Sequence, residues 1–391
     1  MFRITPIENG ICAVEGIYAS GVNAGFKKDG FDLGFIRSDK EMDIVYLFTT
    51  NKFQAAPIKY VLLKNIKKTN FILANSKNAN ALTGEDGIKD IVEILEFLST
   101  KILVKNPLMS STGVIGVRLD KEKIKKGIEK FDFNERNSNK FAKAIMTTDS
   151  FPKVVAFEVE GEFGKFRIGG VAKGAGMINP AMATMLCFIT TDANIPENEM
   201  KEILSEINEV IFNAISVDGD TSTNDSVFLM TTRSADYEKE AFREALKKVM
   251  QKLALDIVRD GEGATKAVAF VVSGAKDKNE AKIVAKNLTN SLLVKTALFG
   301  EDPNWGRIAS TVGASGVECY EKRLKIAFEN VVVYDRGKII FDRETERKAH
   351  EIMKRKEFKI YVDLGIGDGE FTAYGCDLSY DYVKINAEYR T

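Results

Sequence analysis

Histidine is almost absent from this chain of 391 residues, which carries one, His350. A Ser-His-Asp triad would have to rest on that single imidazole, and zinc sites built on histidine or clustered cysteine are all but excluded. Cysteine is nearly as scarce. Cys12, Cys187, Cys319 and Cys376 are too few and too scattered for a disulfide framework, and none stands in a C-x-x-C pair. Neither sign of charge is in excess, with 56 basic against 56 acidic residues. A nucleic-acid binder needs clustered Lys and Arg to displace counterions, so none is expected here. No apolar run approaches the roughly 18 residues of a membrane span; the longest, such as 267–272, are strand-sized. Glu8 and Asn9 stand where a signal peptide would carry its apolar centre, so a cytoplasmic location is expected. An enzyme of this composition must find its base somewhere other than histidine.

What is present is an ordinary globular mixture, 45% hydrophobic and 29% charged. The length allows two or three domains, and no linker, repeat or low-complexity segment divides the chain. Pro196-Glu-Asn-Glu199 is an acidic helix start. After it, Met200, Ile203, Leu204, Ile207, Val210, Ile211 and Ala214 form one apolar stripe, and Phe242, Leu246, Val249, Leu253 and Ile257 form another. Both stripes are core faces. Further helices are expected over 55–66 and 88–104, and a solvated one over 343–350. Strands are expected at 43–48, 185–189, 267–272, 326–334, 358–364 and 380–385, with a hairpin of 154–159 and 165–171 around Gly161 and Gly164. The alternation implies a mixed α/β protein with helices packed on sheets.

The most unusual stretch runs from Gly169 to Leu186. It is glycine-rich and holds Lys173, yet neither G-x-x-x-x-G-K-[ST] nor G-x-G-x-x-G fits any window of it. Gly365-Ile-Gly-Asp-Gly369 fails the dinucleotide pattern too. Thr184 carries the single hydroxyl between Ala181 and Ile189, and from packing alone it reads as a strand threonine. Ser110-Ser-Thr-Gly-Val-Ile-Gly116 suggests bare backbone N–H groups of the kind that build an oxyanion hole. Asp218 to Asp225 looks like a cation loop, but it lacks the Gly and the Glu that an EF-hand needs at positions six and twelve. Asp260-Gly-Glu-Gly-Ala-Thr-Lys266 reads as a helix C-cap and turn. That explains Gly261 but not the acidic Glu262 held between two glycines. Each signal is weak alone.

Together they are specific. Lys173-Gly-x-Gly-Met-Ile-x-Pro-x-Met-Ala-Thr-Met-Leu186 resembles the self-cleavage signature of the ornithine acetyltransferase (glutamate N-acetyltransferase) family of arginine biosynthesis. The resemblance includes Thr49-Thr-Asn-Lys-Phe-Gln-Ala-Ala-Pro57, Asn75-Ser-Lys-Asn-Ala-Asn-Ala81, Ser111-Thr-Gly-Val-Ile-Gly116 and Thr147-Thr-Asp149. It continues through Ser216 to Ser226, Asp260 to Lys266 and Asp302-Pro-Asn-Trp-Gly-Arg307. Lys77 and Leu82 depart from it, standing where the family more often shows Gly and Cys.

The resemblance implies a precursor that cuts itself between Ala183 and Thr184, giving chains 1–183 and 184–391. Cleavage would leave Thr184 with a free α-amine, whose ordinary pKa is about 7.7–8.0. That amine is a base built into the nucleophile. The implied reaction moves the acetyl group of N-acetylornithine to glutamate through an acetyl-Thr184 ester, without cofactor or metal. Thr112 and Gly113 match the family's oxyanion-hole pair, and Thr147, Lys173, Thr184, Glu262, Asn386 and Thr391 match its substrate contacts. Charge suggests Lys173 for the α-carboxylate and Glu262 for the ammonium of ornithine. The implied fold is a layered α/β sandwich like that of other N-terminal-nucleophile enzymes, with a smaller C-terminal subdomain. The cut chains are expected to stay together and pair into a heterotetramer of two each. Acetyl-CoA as a second donor is left open. The alternatives are a related self-processing aminopeptidase or amidase, or an uncut protein that only binds an acylated amino acid or nucleotide in a glycine-lined pocket.

Overall fold

The computed structural model describes residues 2–179 and 185–388. They divide between two units: Met1–Gly174, Pro180–Asn213 and Thr221–Ala254 form the first, and Ala175–Asn179, Ala214–Asp220 and Leu255–Thr391 the second. Each unit draws on residues from both sides of position 184.

The first unit is built on nine strands: β1 (Arg3–Ile7), β2 (Ile17–Val22), β3 (Leu33–Phe48), β4 (Lys68–Asn75), β5 (Leu108–Ser111), β6 (Lys153–Gly161), β7 (Gly164–Lys173), β8 (Leu186–Ala193) and, after the short β9 (Ile215–Ser216) of the other unit, β10 (Ser226–Ala235). Their order is β1-β6-β7-β8-β10-β3-β4-β5, with β2 paired to β3. The hairpin read from the sequence is β6 and β7, closing with Gly161 opposite Gly164. Side chains of a strand alternate between faces, and in β10 both faces are buried. Phe228 and Met230 join the cluster of Phe35, Phe71, Phe141 and Phe188, while Val227 and Leu229 are equally buried outside it. The sheet is therefore covered on both sides, the mark of a layered α/β unit. The helix Glu197–Val210 buries Met200, Ile203, Leu204 and Ile207, so that stripe is a core face. The second stripe is buried as well, on the helix Lys239–Arg259.

The second unit holds seven strands: β9 with β11 (Ala267–Ala275), β12 (Lys325–Phe328), β13 (Val331–Asp335), β14 (Lys338–Ile339), β15 (Glu357–Asp363) and β16 (Gly369–Cys376), in the order β14-β13-β12-β15-β11-β16-β9. In β15, Phe358, Ile360 and Val362 are buried and enter the unit's core, whereas Glu357, Lys359 and Tyr361 are exposed. Helices Lys278–Asn290, Leu292–Phe299, Trp305–Gly313 and Arg343–Met353 supply the rest of that core.

Three expectations need correction. The run 326–334 is two antiparallel strands, because Glu329 takes φ +47° and turns the chain at Glu329–Asn330. The helix expected over 88–104 is Gly84–Ser99, since it starts earlier and stops at Thr100. The run 380–385 is the helix Tyr380–Ala387. Ser379 caps it by accepting the Asp381 N–H, and with Tyr380 and Val383 largely exposed the segment has no sheet to join. Among the described residues no helix is long and apolar enough to cross a membrane.

Candidate active site

In the first unit, a row of paired residues crosses four strands at one end of the sheet. Lys173 ends β7 and pairs with Leu186, the first residue of β8; Leu186 pairs on its other side with Ser226, which pairs with Phe48. Chain ends and turns gather where this row stops. Thr49 follows Phe48 and donates its N–H to the Asp225 carbonyl at 3.0 Å, and Ser226 N–H bonds the Met185 carbonyl at 2.8 Å.

The charge at this end is organised around one carboxylate. The Asp149 side chain is fully buried, as is that of Lys153, whose ammonium lies 2.8 Å from it. Asp149 also accepts the N–H of Gly174 at 2.7 Å and of Thr147 at 3.1 Å. Burial alone would raise its pKa, but the Lys173 and Lys153 ammoniums and the Gly174 N–H outweigh it and hold the carboxyl at about 2. Lys173 is itself buried and donates to the Thr112 hydroxyl at 3.3 Å. Lys27 joins this group. Burial lowers its pKa to about 8 against the pull of Asp32 and Asp149, with Lys77 and Lys173 adding repulsion.

Three N–H groups of the 110–116 stretch are taken by backbone carbonyls, and that of Gly113 is not among them. Thr112 gives its N–H to Asn75, Val114 to Lys77 and Gly116 to Ala81. What Thr112 offers is its hydroxyl, which takes the Lys173 hydrogen bond through oxygen and keeps its own proton to donate. Gly113 sits at φ +133°, and a Cβ there would fall inside the Lys77–Asn78 peptide, so only glycine fits.

Asp225 is a further buried acid at this end. Burial pushes its pKa well up, against hydrogen bonds from Ser222 and Thr49 and the charge of Lys173, and its Oδ2 has no hydrogen-bond partner among the described residues.

In the second unit, Glu262 is buried just after the helix Lys239–Arg259. Its N–H bonds the Ala175 carbonyl at 2.8 Å, and its carboxylate accepts from the Asn386 amide at 2.7 Å. Gly176 makes room for that carboxylate, because any Cβ at 176 would collide with it. The left-handed residue of this turn is Gly263, at φ +68°. Helical spacing brings Asn386 and Tyr382 to one side, four residues apart, with the Tyr382 hydroxyl 3.4 Å from Asp218. Asp218 does not act as part of a cation loop: it accepts the N–H of Met177 at 2.6 Å and of Ile178 at 2.9 Å, tying down the chain that follows Gly176. Among the described residues no three His, Cys, Asp or Glu side chains cluster as a metal site would require.

Thr112, Gly113, Thr147 and Lys173 thus gather within the first unit, and Glu262 and Asn386 touch within the second. Ala183, Thr184 and Thr391 lie outside the described residues. Sequence reasoning gave no role to Asp149, Lys153 or Asp225. Asp149 and Asp225 do lie inside two of the matching motifs, which was the available signal; Lys153 has none.

Residues 18–391 match the ArgJ family. The chain is 58% identical over 396 residues to the arginine biosynthesis bifunctional protein ArgJ of Wolinella succinogenes, covering 100% of each. It is 45% identical over 404 residues to the glutamate N-acetyltransferase of Methanocaldococcus jannaschii, covering 98% of this chain and 99% of that one. Among solved structures, the arginine biosynthesis bifunctional protein argJ of Bacillus halodurans is 42% identical with a TM-score of 0.48, over 51% of this chain and 96% of that one.

Proposed function

The chain belongs to the ArgJ family, and we propose that it works through a threonine that it unmasks by cutting itself at Ala183–Thr184. It is an enzyme of arginine biosynthesis, a glutamate N-acetyltransferase that takes the acetyl group from N-acetylornithine. The self-processing aminopeptidase reading is not favoured, since the relatives named above are acetyltransferases or arginine-biosynthetic proteins over their whole length.

The Thr184 oxygen attacks the acetyl carbonyl while its proton passes to the Thr184 α-amine. The carbonyl oxygen becomes an oxyanion, for which the Thr112 hydroxyl and the Gly113 N–H are the donors. Collapse breaks the amide C–N bond, the proton goes to the leaving amine, and ornithine departs from an acetyl-Thr184 ester. Glutamate then attacks through its α-amine and leaves as N-acetylglutamate, and Thr184 regains its proton. The ammonium of Lys173 is assigned to the substrate α-carboxylate, with Thr147 beside it. Glu262 is assigned to an ammonium, and Asn386 and Thr391 to the α-amino-acid portion common to donor and acceptor. The cleaved chains, of 183 and 208 residues, pair again into a heterotetramer in the cytoplasm.

The supporting observation is the buried Lys173 ammonium against the Thr112 hydroxyl. Burying an ammonium is costly unless its charge is answered; this one acts on the Asp149 carboxylate and pairs across strands with Leu186, two residues beyond the proposed nucleophile. A denaturing gel of purified wild type and Thr184→Ala tests the reading. Wild type should run as two chains and transfer acetyl groups to glutamate, and Thr184→Ala as one inactive chain of 43.4 kDa. A variant that still splits at this bond would mean that an outside protease makes the cut.

A further inference from the structure

Lys77 holds a conformation that lysine seldom adopts. Its φ is +72°, in the left-handed region where a Cβ is disfavoured. The surrounding loop fixes it there. The Lys77 carbonyl accepts the Val114 N–H at 3.2 Å, Asn75 holds the Asn78 carbonyl at 2.9 Å, and the Asn78 amide bridges the carbonyls of Val117 and Arg118 at 3.1 Å each. Among the described residues none of these hydrogen bonds comes from the Lys77 side chain, so the turn does not depend on its ammonium.

That place is the back of the oxyanion-hole residue, because Gly113 packs directly on the Lys77–Asn78 peptide. The Lys77 side chain is exposed, yet close enough to Lys27 to repel its charge, as Lys173 also does. Three ammoniums, those of Lys27, Lys77 and Lys173, therefore share this end of the first unit. Of the acids among them, Asp225 is pushed by burial toward its neutral form, and the other two are already engaged. Asp149 is paired with Lys153, and Asp32 accepts the N–H groups of Ala24, Phe26 and Lys27 at 2.6 to 2.8 Å. Positive charge is left over.

The two substrates of the proposed reaction differ in the same sense. N-acetylornithine carries one carboxylate and one ammonium, and glutamate carries two carboxylates and one ammonium. An additional cation beside the reacting centre favours the acceptor and opposes the donor's ammonium. We propose that Lys77 is a specificity-determining residue of the second half-reaction, its ammonium receiving the side-chain carboxylate of glutamate. This rests on the acetyl-transfer reading above.

Lys77→Gln keeps most of the side-chain length and the backbone strain and removes the charge; Lys77→Arg keeps the charge. With N-acetylornithine as donor, Lys77→Gln should raise the KM for glutamate about tenfold, leaving kcat and the KM for N-acetylornithine within about twofold of wild type. Lys77→Arg should restore the glutamate KM. The glutamate KM of wild type should also rise with salt more steeply than that of Lys77→Gln, since an exposed ion pair is screened. A glutamate KM unchanged in Lys77→Gln, or both KM values raised together, would overturn the assignment while leaving the acetyl-transfer reading intact. Absence of transfer by wild type itself would overturn both.

Discussion

Asp149 shows how a residue without a reacting atom can govern a site. Its carboxylate joins Lys153, Gly174 and Thr147, so it sets the geometry just beyond Lys173. Its pKa is held at about 2, below the ordinary 3.8, so the ionised form is favoured in the folded chain. The stability this contributes is complete above about pH 4 and is lost as pH falls from there through 2. Asp149→Asn leaves the Lys153 ammonium buried without its counter-charge, a change that costs about 3–5 kcal/mol in comparable pairs. The expected result is a Tm well below wild type at pH 7, with the gap narrowing as pH falls from 4 to 2; thermal melts across that range check it. An equal gap at every pH would show that the Asp149 charge is not what matters. Little of this was legible in the sequence. Thr112, Gly113 and Lys173 stood out through their motifs, but Asp149 meets Lys173 only because the turn after Ile145 brings 147–149 to the end of β7. Lys153 looks like any lysine entering a strand, and its burial follows from pairing with Ala172 inside the sheet.

Elements with a strong internal pattern were legible and those decided by neighbours were not. The two apolar stripes and the glycine-closed hairpin follow from periodicity and turn chemistry, and they fold as read. The C-terminal segment does not. Tyr380-Asp-Tyr-Val-Lys-Ile385 has the aromatic and β-branched content of a strand, but the cap at Ser379 and the lack of a strand partner make it a helix. The change matters for the site. In a strand, Tyr382 and Asn386 would be two side-chain repeats apart; in the helix they lie one turn apart, and Asn386 reaches Glu262 at 2.7 Å. A chain that stops after Ile385 loses this amide and everything beyond it, while the core of the second unit is untouched, since the helix buries no residue. Folding and cleavage should be intact on a denaturing gel, and steady-state kinetics should show the KM for N-acetylornithine and for glutamate raised together. Wild-type kinetics in the truncated protein would remove Asn386 and Thr391 from the site.

For the whole molecule, the order of strands bears on what a cut at Ala183–Thr184 would do. β8 and β10 follow the cut, yet β8 lies between β7 and β10, and β10 between β8 and β3. The two strands of the second chain would thus be held between strands of the first by six residue pairs on either side, without any covalent link. This interleaving was not legible from sequence, where the hydrophobic pattern gives strands but not their neighbours. Nor was the passage of 175–179 and 214–220 into the second unit, because both pieces are too short to carry a pattern of their own. The central claim is that Thr184 carries the acetyl group between donor and acceptor. It is tested most directly by incubating the purified protein with N-acetylornithine alone, isolating it by gel filtration under native conditions, and weighing the chains of the peak by denaturing mass spectrometry. The account predicts both chains in one peak, with a single hydroxylamine-labile acetyl group on Thr184 of the 208-residue chain, discharged when glutamate is added. An uncut chain, or an unacetylated Thr184 in protein that transfers acetyl groups, would contradict it.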